Sequence, residues 1–389
     1  MNIPQLRFPE FIDNWTENKL GEIATFSKGK GISKADIADN GKTECIRYGE
    51  LYTTYGETID VVKSRTNIDE TDLVYSEGND VIIPASGETQ IDIATASCVL
   101  RKGIALGGDL NIIKTKNNGV FLSYYLNYKK KLEIANLAQG ISVVHLYSSQ
   151  LSQLELNLPI KTEQDKIALF IRSIDEKIQA LKKKKRLLEN YKKGVMQRIF
   201  NYELDNYELR IRFKDENGEE FPEWEVKKLG EVCEKKSSNI SANKIEENFG
   251  DYIIYGASGI LKKIDFYEEE NDYVSIIKDG AGVGRIVYCK GKSSVLGTME
   301  IVKPKIELHT YFLYCLLENV DFTKYITGST IPHIYFKDYK NEVCGIPTIP
   351  EQTKIANFLS SIDQKINHTQ AQIQQTELWK KGLLQKMFV

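Results

Sequence analysis

Apolar positions step by four and three along two stretches of the chain. In the first they fall at Ile167, Ile171, Ile174, Ile178, Leu181, Leu188, Val195 and Ile199. In the second they fall at Ile355, Leu359, Ile362, Ile366, Ile373, Leu383 and Met387. A sustained three–four step is the seam of a coiled coil. It predicts two helices, each roughly 57 Å long at ~1.5 Å rise per residue. Thr162 before Glu163 and Pro350 before Glu351 suit helix starts. Polar residues interrupt the seam at Lys185 and Lys192 in one stretch, and at Thr369, Thr376 and Lys380 in the other. Elsewhere the pattern is shorter. DVIIPASG, NIIKT, YVSIIKDG, GRIVYCK and MEIVKP read as strands separated by glycine turns. GVFLSYYLNYKKKLEIANL and LHTYFLYCLLENVDFTKYI read as helices.

The two seams are copies. Residues 163–200 and 351–388 align without a gap at an offset of 188 and agree at 17 of 38 positions. The register continues upstream, where GISVVHLY and GSTIPHIY keep Gly140/Gly328, His145/His333 and Tyr147/Tyr335 at the same offset. Further upstream WTENKLGEI at Trp15 pairs with WEVKKLGEV at Trp224 at offset 209, so the first body is 21 residues longer than the second. A repeat of this quality marks a duplicated unit. The predicted fold is α+β: two tandem, mostly-β bodies, each followed by a long helix, the helices pairing as an antiparallel coiled coil in an internal pseudo-twofold repeat. A parallel pair is also sterically allowed, since a 23-residue linker reaches roughly 75 Å. The expected boundaries are 1–159 for the first body, 160–200 for its helix, 201–223 for a linker, 224–347 for the second body and 348–389 for its helix.

Composition narrows the class. No apolar run approaches the ~18–20 residues of a membrane span, and MNIPQLRFPEF is not a signal peptide. The six scattered cysteines contain no CxxC pair and read as free thiols of a cytoplasmic protein. Net charge is −2, but its distribution is uneven. Residues 161–200 hold 12 Lys/Arg against 5 Asp/Glu, and residues 201–225 hold 3 against 9, which reads as a solvated acidic linker. The run Lys182–Arg186 has two readings, a phosphate contact or a solvated helix face.

Motifs for chemistry are missing. GAGVG at 280–284 lies between two strand-like runs and reads as a hairpin turn, because a dinucleotide loop leads from a strand into a helix. GKT at 41 and GKS at 291 lack the earlier glycine of a phosphate loop. No catalytic set and no metal-ligand spacing emerges. His145 and His333 allow two readings: a base or phosphate contact, or a residue closing each body onto its helix.

The doubled arrangement of W…KLGE, a body, G…H.Y…P and EQ.KIA.F…ID.KI…KKG..Q..F resembles the specificity subunit of Type I restriction–modification systems. The resemblance implies a non-catalytic chain whose two bodies are target recognition domains, each reading half of a split double-stranded DNA target. It implies helices that act as a spacer, two methyltransferase subunits docked around them, and restriction subunits. S-adenosylmethionine, ATP and magnesium are then expected on those partners and no cofactor in this chain. Two other classes stay open: a DNA-modifying enzyme with an unrecognised active site, and a coiled-coil adaptor that does not touch DNA.

Base reading is expected in the loops that the two bodies do not share, where Arg, Lys, Gln, Ser and Tyr can address base edges or phosphates. In the first body these are Lys28, Lys30, Ser33, Lys34, Arg47, Tyr48, Tyr52, Tyr55, Ser86 and Gln90. In the second they are Lys235, Lys236, Ser237, Tyr255, Ser258, Lys278, Asp279 and Arg285. Partner binding is expected at the repeated polar anchors Glu163, Gln164, Asp175, Glu351, Gln352 and Asp363, which a seam does not need.

Overall fold

The computed structural model describes residues 3–140, 143–200 and 211–388. The chain forms two compact units, one made of Met1–Ala180 with Gln372–Val389, the other of Leu181–Ala371.

The KLGE stretch opens each body. In the first unit it gives strand Thr16–Lys19 and one helical turn, Leu20–Ile23. The strand pairs antiparallel with Glu155–Leu158, which leads into the long helix Lys161–Phe200. The second unit follows the same plan: Glu225–Lys228 pairs with Val343–Ile346, just before the long helix Ile349–Met387. Glu22 and Glu231 brace the turns by accepting the backbone N–H of Lys19 and Lys228 at 2.9 and 2.7 Å. Leu20 and Leu229 are fully buried. A Cβ at Gly21 would lie 2.9 Å from that of Ser152, and one at Gly230 3.1 Å from that of Lys340. The leucine, glycine and glutamate of the motif recur because each has a structural task at the base of a body.

The first body holds a five-stranded sheet in the order Ala24–Lys28, Leu110–Thr115, Asp80–Pro84, Ser97–Val99, Thr58–Ile59. Beside it is a four-stranded sheet, Ser64–Thr66, Thr43–Ile46, Lys102–Leu106, Tyr75–Glu77. The second body has a four-stranded sheet (Cys233–Ser237, Met299–Pro304, Tyr273–Ile277, Ile286–Cys289) and a three-stranded one (Gly259–Ile264, Tyr252–Gly256, Ser293–Val295). The longer first body therefore has more strands among the described residues. Asp80–Pro84 and Tyr273–Ile277 are buried at every position, which explains their continuous apolar runs. Residues 280–284 turn the chain from Tyr273–Ile277 into its antiparallel neighbour Ile286–Cys289, as their context predicts. Each late apolar stretch breaks in two: Gly119–Tyr128 and Lys131–Leu137 in one body, Thr310–Glu318 and the short turn Phe322–Tyr325 in the other.

The long helices seal both cores. In the first unit Ile167 and Ile171 join a cluster with Leu384, Met387 and Phe388. The Phe388 ring lies 5.6 Å from those of Phe121 and Tyr125. In the second unit Val195, Met196, Ile199 and Phe200 join Ile355, Leu359 and Ile362. Within each unit the beginning of one long helix thus meets the end of the other. Lys182, Lys183, Lys184 and Arg186 are exposed.

Positions 201–210 of the acidic linker lie outside the described residues. Most of its remainder is exposed, but part of it is anchored to the second body. Ile211 and Phe213 pack against the second core, and Asp215 accepts backbone N–H groups from Asn217 and Glu219, both at 2.8 Å. All six cysteines are buried and free. Burial pushes Cys45 up to about 11 and Cys98 to about 12, which keeps them as unreactive thiols. Among the described residues no helix is long and apolar enough to cross a membrane.

Candidate nucleic-acid interface

The repeated Glu–Gln pair fastens each body to its helix. Glu163 is fully buried and accepts two hydrogen bonds of 2.7 Å from Arg7 and one of 3.3 Å from the Trp15 indole. Glu351, also fully buried, accepts from Arg212 at 2.9 and 3.1 Å and from Trp224 at 3.0 Å. A forked, charge-assisted pair satisfies a buried carboxylate well. The hydrogen bond to Glu163 holds the Arg7 guanidinium above its ordinary pKa. Gln164 accepts the N–H of Asn118, which caps the late helix, and donates to the Pro159 carbonyl. Gln352 does the same with His309 and Pro347.

Asp175 and Asp363 are also engaged internally. Asp175 accepts from the Tyr124 hydroxyl and pairs with Lys380 at 2.6 Å, while Lys380 also approaches Glu57 at 3.6 Å. Asp363 accepts from Tyr311 and pairs with Lys192 at 2.9 Å, and Lys192 pairs with Glu318 at 3.1 Å. Desolvation lowers the pKa of Lys192, but the two carboxylates outweigh it and the net shift is upward. The expectation that Glu163, Gln164, Glu351 and Gln352 form a partner surface is therefore corrected, since all four are buried; Asp175 and Asp363 are half-buried and already paired within their units. They recur because they join body to helix. Lys192 and Lys380, which interrupt the apolar seam, stand at the repeat offset and complete these clusters.

In the first body the structure brings together four of the expected DNA-contacting residues. Ser33, Lys34, Arg47 and Tyr48 line one cleft of about 680 Å³, with Asp36 and Asp109. Ile32, beside them, holds φ 60°, a conformation that β-branched residues rarely adopt. Such strain gathers at functional sites. Glu50 accepts the Arg47 backbone N–H at 2.7 Å, but the guanidinium approaches it only to 3.9 Å and its buried Nε has no hydrogen-bond partner. Lys28 and Lys34 are exposed, and Lys30 pairs with Asp72 at 3.0 Å. Tyr52 is half-buried outside the cleft lining. Two picks are corrected. Tyr55 packs against an apolar cluster and accepts the Lys63 N–H at 3.0 Å. Ser86 is buried in a short strand paired with Val144–His145. Gln90 is exposed at the start of a helical turn.

In the second body Lys278, Asp279 and Arg285 stand on the hairpin after the central strand, with Arg285 exposed and Lys278 4.0 Å from Asp279. Ser258 is exposed on a separate turn. Tyr255 is a correction: it lies in the core and accepts the Lys290 N–H at 3.2 Å. Lys235, Lys236 and Ser237 already face carboxylates, Lys235 and Ser237 toward Glu300 and Lys236 toward Glu269. Burial raises the Glu269 carboxyl, but hydrogen bonds from Lys236 and Lys303 outweigh it, and its pKa is lowered.

His145 and His333 do not close a body onto its helix. His145 is exposed and its backbone pairs with Ser86, while His333 bridges to Asp279. Both stand beside the candidate loops.

The fold and this site define a two-body recognition scaffold, and comparison with known proteins gives its family. Residues 12–190 and 222–378 match the model of the Type I restriction modification DNA specificity domain, and the chain belongs to that family. It is 25% identical over 414 residues to the Type I restriction enzyme MjaVIII specificity subunit of Methanocaldococcus jannaschii, covering 97% of this chain and 92% of that protein. The MjaIX specificity subunit of the same organism is 26% identical over 293 residues, covering 68% of this chain and 67% of its own length. A crystal structure of the S subunit of a Type I restriction-modification system from M. genitalium superposes with a TM-score of 0.71 at 19% identity, covering 100% of this chain and 99% of that one. Specificity subunits are the non-catalytic members of these systems, in keeping with the missing motifs.

Proposed function

We propose that this chain reads a bipartite double-stranded DNA target and directs methyltransferase and restriction subunits to it. One observation carries the reading: two bodies on one frame differ in the loops that hold their accessible cations. The first presents Lys34 and Arg47 in a cleft, the second Lys278 and Arg285 on a hairpin. Residues that differ between otherwise equal units suit two different half-sites. The long helices pair antiparallel along their length and act as the spacer. Methyl donor, ATP and magnesium belong to the partners, and the complex works in the cytoplasm. Replacing residues 1–158 by the corresponding body of a relative is expected to change one half of the methylated target and leave the other intact, as read by sequencing host methylation. A swap that changed both halves, or neither, would overturn the reading.

The partner surface moves to the exposed side of the helices. Tyr191 and Trp379 are 54% and 51% exposed and stand at the repeat offset of 188. Exposed aromatic residues suit interface anchors. Tyr191→Ala with Trp379→Ala is expected to reduce co-purification of the methyltransferase by tenfold or more, on the order of a hot-spot loss, with only a small fall in melting temperature from the lost edge-on contact of Trp379 with Phe170. Undiminished co-purification would remove these two residues from the interface.

A further inference from the structure

Alternate residues of the shared GISVVHLY and GSTIPHIY stretches face outward in both units. Val143 and Tyr147 are 51% and 47% exposed, and Ile331 and Tyr335 are 64% and 49% exposed. His145 is exposed between the first pair, and His333 is partly exposed between the second. Val144, Leu146 and Ile334, which alternate with them, are buried. This is the period of a strand with one face in the core. The inner face explains itself by packing. The outer face repeats an apolar residue, a histidine and a tyrosine at an offset of 188, and packing within the body does not account for it. The histidine and tyrosine rings are neighbours, 6.3 Å apart in one unit and 4.9 Å in the other.

The strip is held firmly on both sides. Gln139 and His145 exchange backbone hydrogen bonds of 2.9 and 2.7 Å, and Thr327 and His333 exchange bonds of 2.9 and 2.8 Å. Gly140 and Gly328 start these turns at φ 127° and 89°, where other residues are strained. On the other side Leu146 donates to the Ala85 carbonyl and Ile334 to that of Lys278, each at 2.9 Å. The strip therefore adjoins the 86–90 loop in one unit and the 278–285 hairpin in the other.

We propose that Val143, His145 and Tyr147, with their copies Ile331, His333 and Tyr335, form a common DNA-backbone contact. The imidazole and phenol donate to phosphate oxygens, and the apolar residue packs against sugar. The loop beside each strip reads bases. The proposal rests on the DNA-binding reading above and adds a division of labour to it. An element kept alike in both units cannot distinguish two half-sites, whereas phosphate contacts set register and carry no sequence information. Lys278 and Arg285 beside one strip favour a polyanion over a protein as its occupant.

The test uses the full-length chain bound to its methyltransferase. A labelled duplex carrying the methylated target and one of unrelated sequence are titrated with wild type, H145A/Y147A and H333A/Y335A. Each variant is expected to lose roughly tenfold on both duplexes alike, the size of one or two lost hydrogen bonds, with the methylated sequence unchanged. H145Q and H333Q, which keep an N–H donor and the fold, are expected to retain most of the affinity. Unchanged affinity on both duplexes would overturn the proposal. So would lost methyltransferase binding with DNA affinity intact, which would make the strip a protein contact. A wild-type complex that binds neither duplex would instead overturn the functional reading beneath it.

Discussion

Glu163 and Arg47 are opposite kinds of residue in the same body. Glu163 has a copy at Glu351, is fully buried, and has its carboxylate occupied by Arg7 and Trp15. Arg47 has no counterpart in the repeat register and lines an open cleft; Glu50 holds its backbone N–H at 2.7 Å but meets its guanidinium only at 3.9 Å. Shared polar residues build the frame; unshared ones at the rim remain available to a ligand. The same difference separates Glu351 from Arg285 in the second unit. Repetition of a polar residue is therefore a sign of structure here where its side chain is buried; the histidine–tyrosine strip, like Lys177/Lys365 and Lys193/Lys381 on the helices, repeats with its side chains turned to solvent.

The comparison breaks most visibly at the frame. Glu163→Ala leaves a buried guanidinium and indole without their acceptor, and breaking a buried pair costs about 3–5 kcal/mol. Urea unfolding followed by tryptophan fluorescence is expected to show that loss, and a similar one for Glu351→Ala. A stable variant defective only in partner binding would restore the docking role withdrawn above.

A smaller loss is expected at the lysines within the seam. Lys192→Met removes the cation that Asp363 and Glu318 share, leaving Asp363 only the Tyr311 hydroxyl, and lost hydrogen bonds to charged groups cost about 1.5–3 kcal/mol. Lys192→Met with Asp363→Asn is expected to recover part of it, since contacting sites are not additive. The pKa of Lys192 is raised above its ordinary 10.5. Its stabilisation is thus full below that value and fades as pH rises through the higher folded value. The difference in melting temperature between wild type and Lys192→Met should be constant from neutral to mildly alkaline pH and shrink above about pH 10.5. A difference that grew there would contradict the assignment.

The loops sharpen the contrast. Arg47→Ala is expected to cost about 1–3 kcal/mol of target binding and to relax one base position, with stability changed by no more than ~0.5 kcal/mol. Tyr255→Phe is expected to do the reverse. It removes one hydrogen bond, worth about 0.5–1.5 kcal/mol of stability, and leaves DNA affinity unchanged. Paired melting and duplex-titration curves separate the two.

The frame was legible because duplication writes it twice. Strand-like runs, the long helices and the hairpin at 280–284 follow from apolar period and turn residues alone. The clamps were hidden by spacing. Arg7 lies 8 residues before Trp15, but Arg212 lies 12 before Trp224, so the two arginines do not align and the second falls within apparent linker. The seam lysines were visible as interruptions, and their shared offset of 188 was the missed signal. Tyr255 and Ser86 were misplaced because a polar side chain beside glycine looks the same in sequence whether it caps a strand or meets solvent. The cleft joining Ser33, Lys34, Arg47 and Tyr48 depends on how separate loops converge, which no local pattern records.

The first unit has a consequence for synthesis on the ribosome. Its core includes Leu384, Met387 and Phe388, so a body translated early is completed by residues translated about 190 positions later. The intervening stretch 181–371 takes roughly 10–40 s at the usual ~5–20 residues per second. Through that interval Phe121, Tyr125 and Ile171 lack the side chains that cover them. The second unit, drawn from one continuous segment, has no such wait. The nascent first body is thus the one that a chaperone or an early-bound partner would have to shield.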